Sequence, residues 1–148
     1  MTWDDLFSLL NLAALGAWAV LILAPRSWTA LGLLPRLVVP GAVVVAYSAL
    51  LLAFAASSGG GFGSIAQVRA LFASDPVLVA GWGHYLAFDL LVGVMLADRM
   101  DAAGVSRLLQ APILVAVFMA GPLGWLIGTV TAAAAARLPS RAAQRKEA

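Results

Sequence analysis

The sequence predicts an all-α membrane protein, a four-transmembrane-helix bundle with a short interfacial amphipathic helix between helices two and three. Three observations carry this. Of the 148 residues, 63% are hydrophobic and only 11% are charged, a balance outside the range of ordinary soluble domains. The apolar residues gather in four blocks, each longer than the roughly 18 residues that mark a spanning helix. The connections between blocks are too short to hold a second domain, so residues 1–136 read as one transmembrane domain.

The first helix covers residues 6–24. Asp4 and Asp5 precede it, where the positive end of the helix dipole favours them. No positive segment leads into it, so it reads as a retained helix rather than a signal peptide. Trp3 suits an interfacial anchor. Asn11 is the one polar side chain well inside, and is expected to bond a neighbouring helix. Pro25 ends the helix. The second helix covers residues 37–56, with Pro40 tolerated in its first turn. Tyr47 and Ser48 lie near its centre, placed to reach the third helix.

The run Ser57-Ser58-Gly59-Gly60-Gly61-Phe62-Gly63 breaks the helical pattern. It lacks the Lys-Ser/Thr and the preceding strand of a phosphate-cradling loop, and reads as a flexible hinge. Ser64 and Gln67 then have capping-box spacing. Ile65, Val68 and Phe72 repeat at helical intervals, which predicts a short interfacial helix with Arg69 snorkelling outward. Asp75 is the expected N-cap of the third helix, residues 76–96, with Pro76 in its first position. Pro112 opens the fourth, residues 112–136, which Pro122 kinks. Gly124 and Gly128 form a small-xxx-small pair for close helix approach. Residues 137–148 read as a basic, disordered tail.

That tail is basic enough to turn an otherwise slightly acidic chain to a net charge of +2. Beside a membrane helix such a tail meets anionic lipid headgroups. With no base-reading motif, nucleic acid is set aside and membrane lipid is the expected partner. The absence of cysteine removes disulfides and thiolate chemistry. Asp98 and Asp101, three apart, could present carboxylates to a magnesium-bound diphosphate. No second acidic cluster exists to share the metal, so they read as solvated charges beside Arg99, and neither metal nor cofactor is expected. Four spans place both termini on one face, with five of the nine Lys and Arg there and four opposite. The positive-inside rule then puts both termini in the cytoplasm.

Chemistry concentrates on the third helix. His84, the only histidine, and Asp89 flank its midpoint, Leu86, at roughly 3 and 4.5 Å along the axis. A charged side chain at that depth costs about 3 kcal/mol, which makes a functional site the default hypothesis. Trp82, Tyr85, Asp89 and Gly93 share one helical stripe, so Tyr85 can hydrogen-bond Asp89. His84, Phe88, Leu91 and Met95 share the neighbouring stripe. His84 and Asp89 stand about 140° apart around the helix, and both could border one cavity between helices. Burial disfavours the charged form of each. Near neutral pH this leaves a proton donor and a proton acceptor, as general acid–base chemistry requires. Two other readings stay open: a structural polar network running through Tyr47 and Asn11, and proton or ion passage. A lone histidine is a poor metal signal.

The order Gly59-Gly60-Gly61-Phe62, Val68/Leu71-Phe72, Ala80-Gly81-Trp82-x-His84-Tyr85-Leu86-Ala87-Phe88-Asp89-Leu90-x-Val92-Gly93, Pro112 and Gly121-Pro122-x-Gly124 resembles the abscisic-acid-deficient-four-like membrane proteins. The likeness covers roughly residues 59–124, and the N-terminal half matches only as hydrophobic helices. Plant members are required to make neoxanthin, a carotenoid precursor of abscisic acid, and this chain looks like a bacterial-type member of an inner membrane. The resemblance implies isomerisation of an epoxy-carotenoid or related isoprenoid, without net redox change. In that reaction Asp89 would be the acid and His84 the base. Tyr85 would orient Asp89, Trp82 and Phe88 would line the polyene channel, and Tyr47 would contact substrate. The alternative is a non-enzymatic membrane protein that binds lipid or pigment or scaffolds a partner.

Overall fold

A computed structural model describes residues 1–137; the basic tail predicted at 137–148 lies, apart from Arg137, outside them. The described residues are helical, with no strand among them. Three helices are long and apolar enough to cross a membrane: Trp3–Leu23, Thr29–Ser57 and Asp75–Ala102. The chain divides into two compact units by its internal contacts, Met1–Leu91 and Val92–Ala148. No linker separates them, because the boundary falls inside one unbroken helix.

In the first unit, α1 (Trp3–Leu23) starts at a capping box. The Asp5 amide donates to Thr2 Oγ1 at 3.1 Å, and the Thr2 amide donates to Asp5 Oδ2 at 2.7 Å. These bonds occupy two of the amides a helix start leaves without partners. At its other end, Arg26 Nη1 donates to the Leu21 carbonyl at 2.8 Å, a cation on the negative end of the dipole. The second long helix begins eight residues earlier than the sequence predicts. It comprises α2 (Thr29–Leu33), a π-helical turn (Leu34–Val38), α3 (Val39–Phe54) and a 3₁₀ turn (Ala55–Ser57). Two prolines explain the wide turn. Pro40 has no N–H to return to Arg36, and the Val39 amide reaches back five residues to the Leu34 carbonyl instead.

The glycine run is folded rather than hinge-like. The Gly61 amide donates to the Gln67 carbonyl at 3.2 Å and the Gly63 amide to Gln67 Oε1 at 2.9 Å. A Cβ on Gly60 would lie 2.1 Å from the Leu71 nitrogen, so only glycine fits there. Helix α4 (Ile65–Leu71) carries half the expected capping box: Ser64 Oγ accepts from the Gln67 amide, while the Gln67 side chain serves Gly63. Helix α5 (Asp75–Ala102) follows. Leu10 and Ala14 of α1, Val43 of α3, and Val79, Leu86 and Ala87 of α5 form one buried cluster. Trp3 at the start of α1 meets Phe54 at the end of α3 edge-on, centroids 5.5 Å apart, which makes these helices antiparallel.

In the second unit, the last turns of α5 carry Asp98 and Asp101, so both lie on a helix rather than in a loop. Gly104, at φ +72°, turns the chain, and the Val105 amide closes the turn on the Met100 carbonyl at 2.9 Å. Gln110 Nε2 donates to Asp101 Oδ1 at 2.6 Å and to the Val105 carbonyl at 2.9 Å, so Asp101 serves the turn. The predicted fourth helix, residues 112–136, is two helices instead. Helix α6 (Arg107–Met119) starts five residues before Pro112, and α7 (Gly121–Ala136) follows a break at Ala120, φ −152° and ψ 67°. Residues seven apart on a straight helix rise about 10 Å. Here a Cβ on Gly124 would lie 2.2 Å from the nitrogen of Val117, seven residues earlier, so the chain folds back on itself. Gly-Pro after Ala120 therefore produces a reversal, where the sequence reading has a kink.

Candidate functional site

Helix α5 offers two differently furnished faces within the first unit. On one, the Tyr85 hydroxyl hydrogen-bonds the Asp89 carboxylate one turn on, as their spacing predicts. Asp89 is half-buried, and its Oδ2 is enclosed with no hydrogen-bond partner among the described residues. Trp82 Nε1 donates to Asn11 Oδ1 of α1 at 3.0 Å, while Asn11 Nδ2 donates to the Phe7 carbonyl at 2.8 Å. Asn11 thus bonds a neighbouring helix as expected. The rings of Phe7, Trp82 and Tyr85 form a row, with successive centroids 5.5 and 5.4 Å apart.

On the other face, the His84 ring stacks on Phe88 with centroids 4.5 Å apart and planes 24° from parallel. It also meets Tyr47 of α3 at 5.2 Å, so Tyr47 reaches the helix by a ring contact. His84 and Tyr47 open onto a cavity of about 300 Å³ whose remaining walls are Leu51, Phe62, Leu71, Phe72, Val77 and Gly81. Gly81 shapes it directly: a Cβ there would lie 2.5 Å from Phe72 Cε1, so its absence lets the ring pack onto α5.

The structure therefore brings His84 and Tyr47 together at the cavity, with Phe88 stacked behind, and gathers Trp82, Tyr85 and Asp89 on the other stripe. The cavity wall includes neither Asp89 nor Tyr85, Trp82 or Phe88. His84 is exposed rather than buried. Sequence reasoning assigned no lining role to Leu51, Phe62, Leu71, Phe72 and Val77. One signal pointed to them: a glycine three residues before His84, on the same helical face, marks a close approach by another side chain.

Long apolar helices, with a mid-helix cluster of aromatic and titratable side chains beside a cavity of about 300 Å³, define a helical membrane protein. The chain belongs to the ABA DEFICIENT 4-like family, whose model matches residues 5–127. The match reaches back through α1, well beyond the region 59–124 from which the resemblance was read. No curated protein and no solved structure matches the chain.

Proposed function

We propose that this membrane protein takes the end group of a carotenoid or related apolar isoprenoid into the His84–Tyr47 cavity and isomerises it by acid–base chemistry. The observation that carries this reading is the wall itself: aromatic and aliphatic side chains with only two polar groups, His84 and Tyr47. It occurs in a family tied to neoxanthin synthesis. About 300 Å³ is the lower end of ligand-pocket volumes. That suits one cyclic end group, with the polyene lying along the apolar surface. Phe88, 52% exposed beside His84, and Phe62, 82% exposed at the wall, offer such a surface.

Isomerising an epoxide to an alcohol requires a proton for the oxygen and loss of one from a neighbouring carbon. His84 is the base. Tyr47, with its ring centroid 5.2 Å from that of His84, is the hydroxyl in the cavity wall that donates to the oxygen. The proton taken by His84 returns to Tyr47, and no redox cofactor is needed. Asp89, named as the acid from sequence, lines the other stripe beside Tyr85.

That separation favours a second reading, in which the cavity binds pigment or lipid without turnover and the Tyr85–Asp89 pair is structural. The test is a chromatographic carotenoid profile of a carotenoid-producing bacterial host. It compares the intact protein, His84→Gln, Asp89→Asn and no protein, with membrane levels verified. A new isomer that needs His84 but survives Asp89→Asn supports the cavity mechanism. Loss with Asp89→Asn alone would return the acid role to Asp89. An unchanged profile throughout, with pigment copurifying, would establish the binding reading.

A further inference from the structure

We infer that α6 and α7 form a re-entrant hairpin that enters and leaves the bilayer on one face, so that the chain crosses three times and its two ends lie on opposite sides. The geometry of the second unit carries this. Past the fold-back at Ala120, α7 returns beside the end of α5. Gly128 faces Leu96, where a Cβ would lie 2.4 Å from Cδ2. Farther along, Thr129, Ala132, Ala133 and Ala136 share one cavity with Arg99, Ala102 and Ala103. Residue numbers rise together along the two helices, so α7 ends level with the turn from which α6 departed.

The arms are too short to cross. Helix α6 has 13 residues and α7 has 16, about 20 and 24 Å long, against a hydrocarbon core of about 30 Å. The tip is built for lipid. From Ala111 to Gly128 no side chain is charged, and Trp125 alone carries a polar atom. Met119 and Leu123 beside the break are exposed. A turn emerging into water would carry polar residues, whereas one inside the membrane must satisfy its own backbone. At the bend both backbone groups of Ala120 are paired within the chain. The Ala120 amide donates to the Ala116 carbonyl at 2.8 Å, and the Ala120 carbonyl accepts from the Leu123 and Gly124 amides. Pro122 has no N–H to satisfy.

Charge gives independent support. Four crossings split the nine Lys and Arg five to four. Three crossings with a re-entrant hairpin leave Arg69 alone on one side. Arg26, Arg36, Arg99, Arg107, Arg137, Arg141, Arg145 and Lys146 fall on the other, with Arg36 at the Arg26 end of its helix, lining the same cavity. Eight against one is a strong positive-inside signal. It assigns the α5–α6 turn and the C-terminal segment to the cytoplasm and the start of α1 to the opposite face.

The cysteine-free chain makes the test direct. Single variants Ala73→Cys, Ser106→Cys, Ala120→Cys and Ser140→Cys are treated with a membrane-impermeant maleimide, in intact bacterial cells and in opened membranes. Ala73→Cys should label in intact cells, and Ser106→Cys and Ser140→Cys only after opening. Ala120→Cys should label in neither, and only once denatured. If Ala120→Cys fails to accumulate, Met119→Cys reports the same tip. Labelling of Ser106→Cys and Ser140→Cys from opposite sides, or of the tip together with Ala73→Cys, would overturn the hairpin. Labelling of both Ser106→Cys and Ser140→Cys from outside would overturn the orientation.

Discussion

The bond from Trp82 to Asn11 joins residues 71 apart in sequence, at 3.0 Å, and its energy can be isolated. In hydrocarbon the two groups have little else to pair with, yet measured interhelical hydrogen bonds average only about 0.6 kcal/mol and reach about 1.7. Trp82→Phe removes the donor and keeps much of the ring packing against Phe7 and Tyr85. Asn11→Leu removes the acceptor and also the bond to the Phe7 carbonyl, which its own helix can spare. Each single change should cost about 1 kcal/mol, roughly fivefold in the unfolding equilibrium. The double change should cost little more than either alone, leaving a coupling of about 1 kcal/mol. The assay is a double-mutant cycle on reversible denaturant unfolding in detergent, followed by tryptophan fluorescence. Non-additivity below about 0.5 kcal/mol, the scatter of independent sites, would refute the view that this bond ties α1 to α5.

Two further outcomes follow from the site. Tyr85→Phe leaves the half-buried Asp89 without its hydroxyl partner, so it should destabilise the protein by about 1 kcal/mol. Adding Asp89→Asn, which removes the charge, should recover part of that loss in the same unfolding assay. Gly81→Ala places a methyl 2.5 Å from Phe72 Cε1, a ring that can move only by giving up its place in the cavity wall. The expected cost is about 1–3 kcal/mol, together with a severalfold fall in copurified pigment, read from absorbance per mole of protein.

What was legible in the sequence was what a single helix decides. The Tyr85–Asp89 bond could be read because residues four apart share a face, and the two stripes of α5 followed from the same period. Helix α1 was placed within three residues of its observed start because Asp4 and Asp5 mark it. Elements set by contacts between segments were less legible. The second helix was expected to start at residue 37 with Pro40 in its first turn, but a π turn carries the helix through this stretch. Gly121-Pro122 announced a disturbance without its angle, since the reversal depends on Gly124 admitting the Val117 backbone. Asn11 called for a partner, and nothing in the sequence chose Trp82. The cavity was least legible, because Phe62 and Phe72 reach it only once the glycine run has folded onto α4.

The cavity depends on those missing side chains. Helices in a bilayer gain little from burying apolar groups against one another, because lipid is equally apolar, so close packing and polar bonds must hold them. Gly60 and Gly81 supply the close packing around the cavity. The first lets the loop bearing Phe62 lie against the Leu71 backbone, and the second lets Phe72 settle on α5. Gly16, Gly32 and Gly41 face open space and carry no such constraint. Because a clash at Gly60 is with backbone, it cannot be relieved by a side-chain rotation as a clash at Gly81 can. A side chain at Gly60 would therefore displace the loop bearing Phe62, whereas one at Gly81 would displace only the Phe72 ring. A long apolar ligand entering from the bilayer would find its size limit at Phe72.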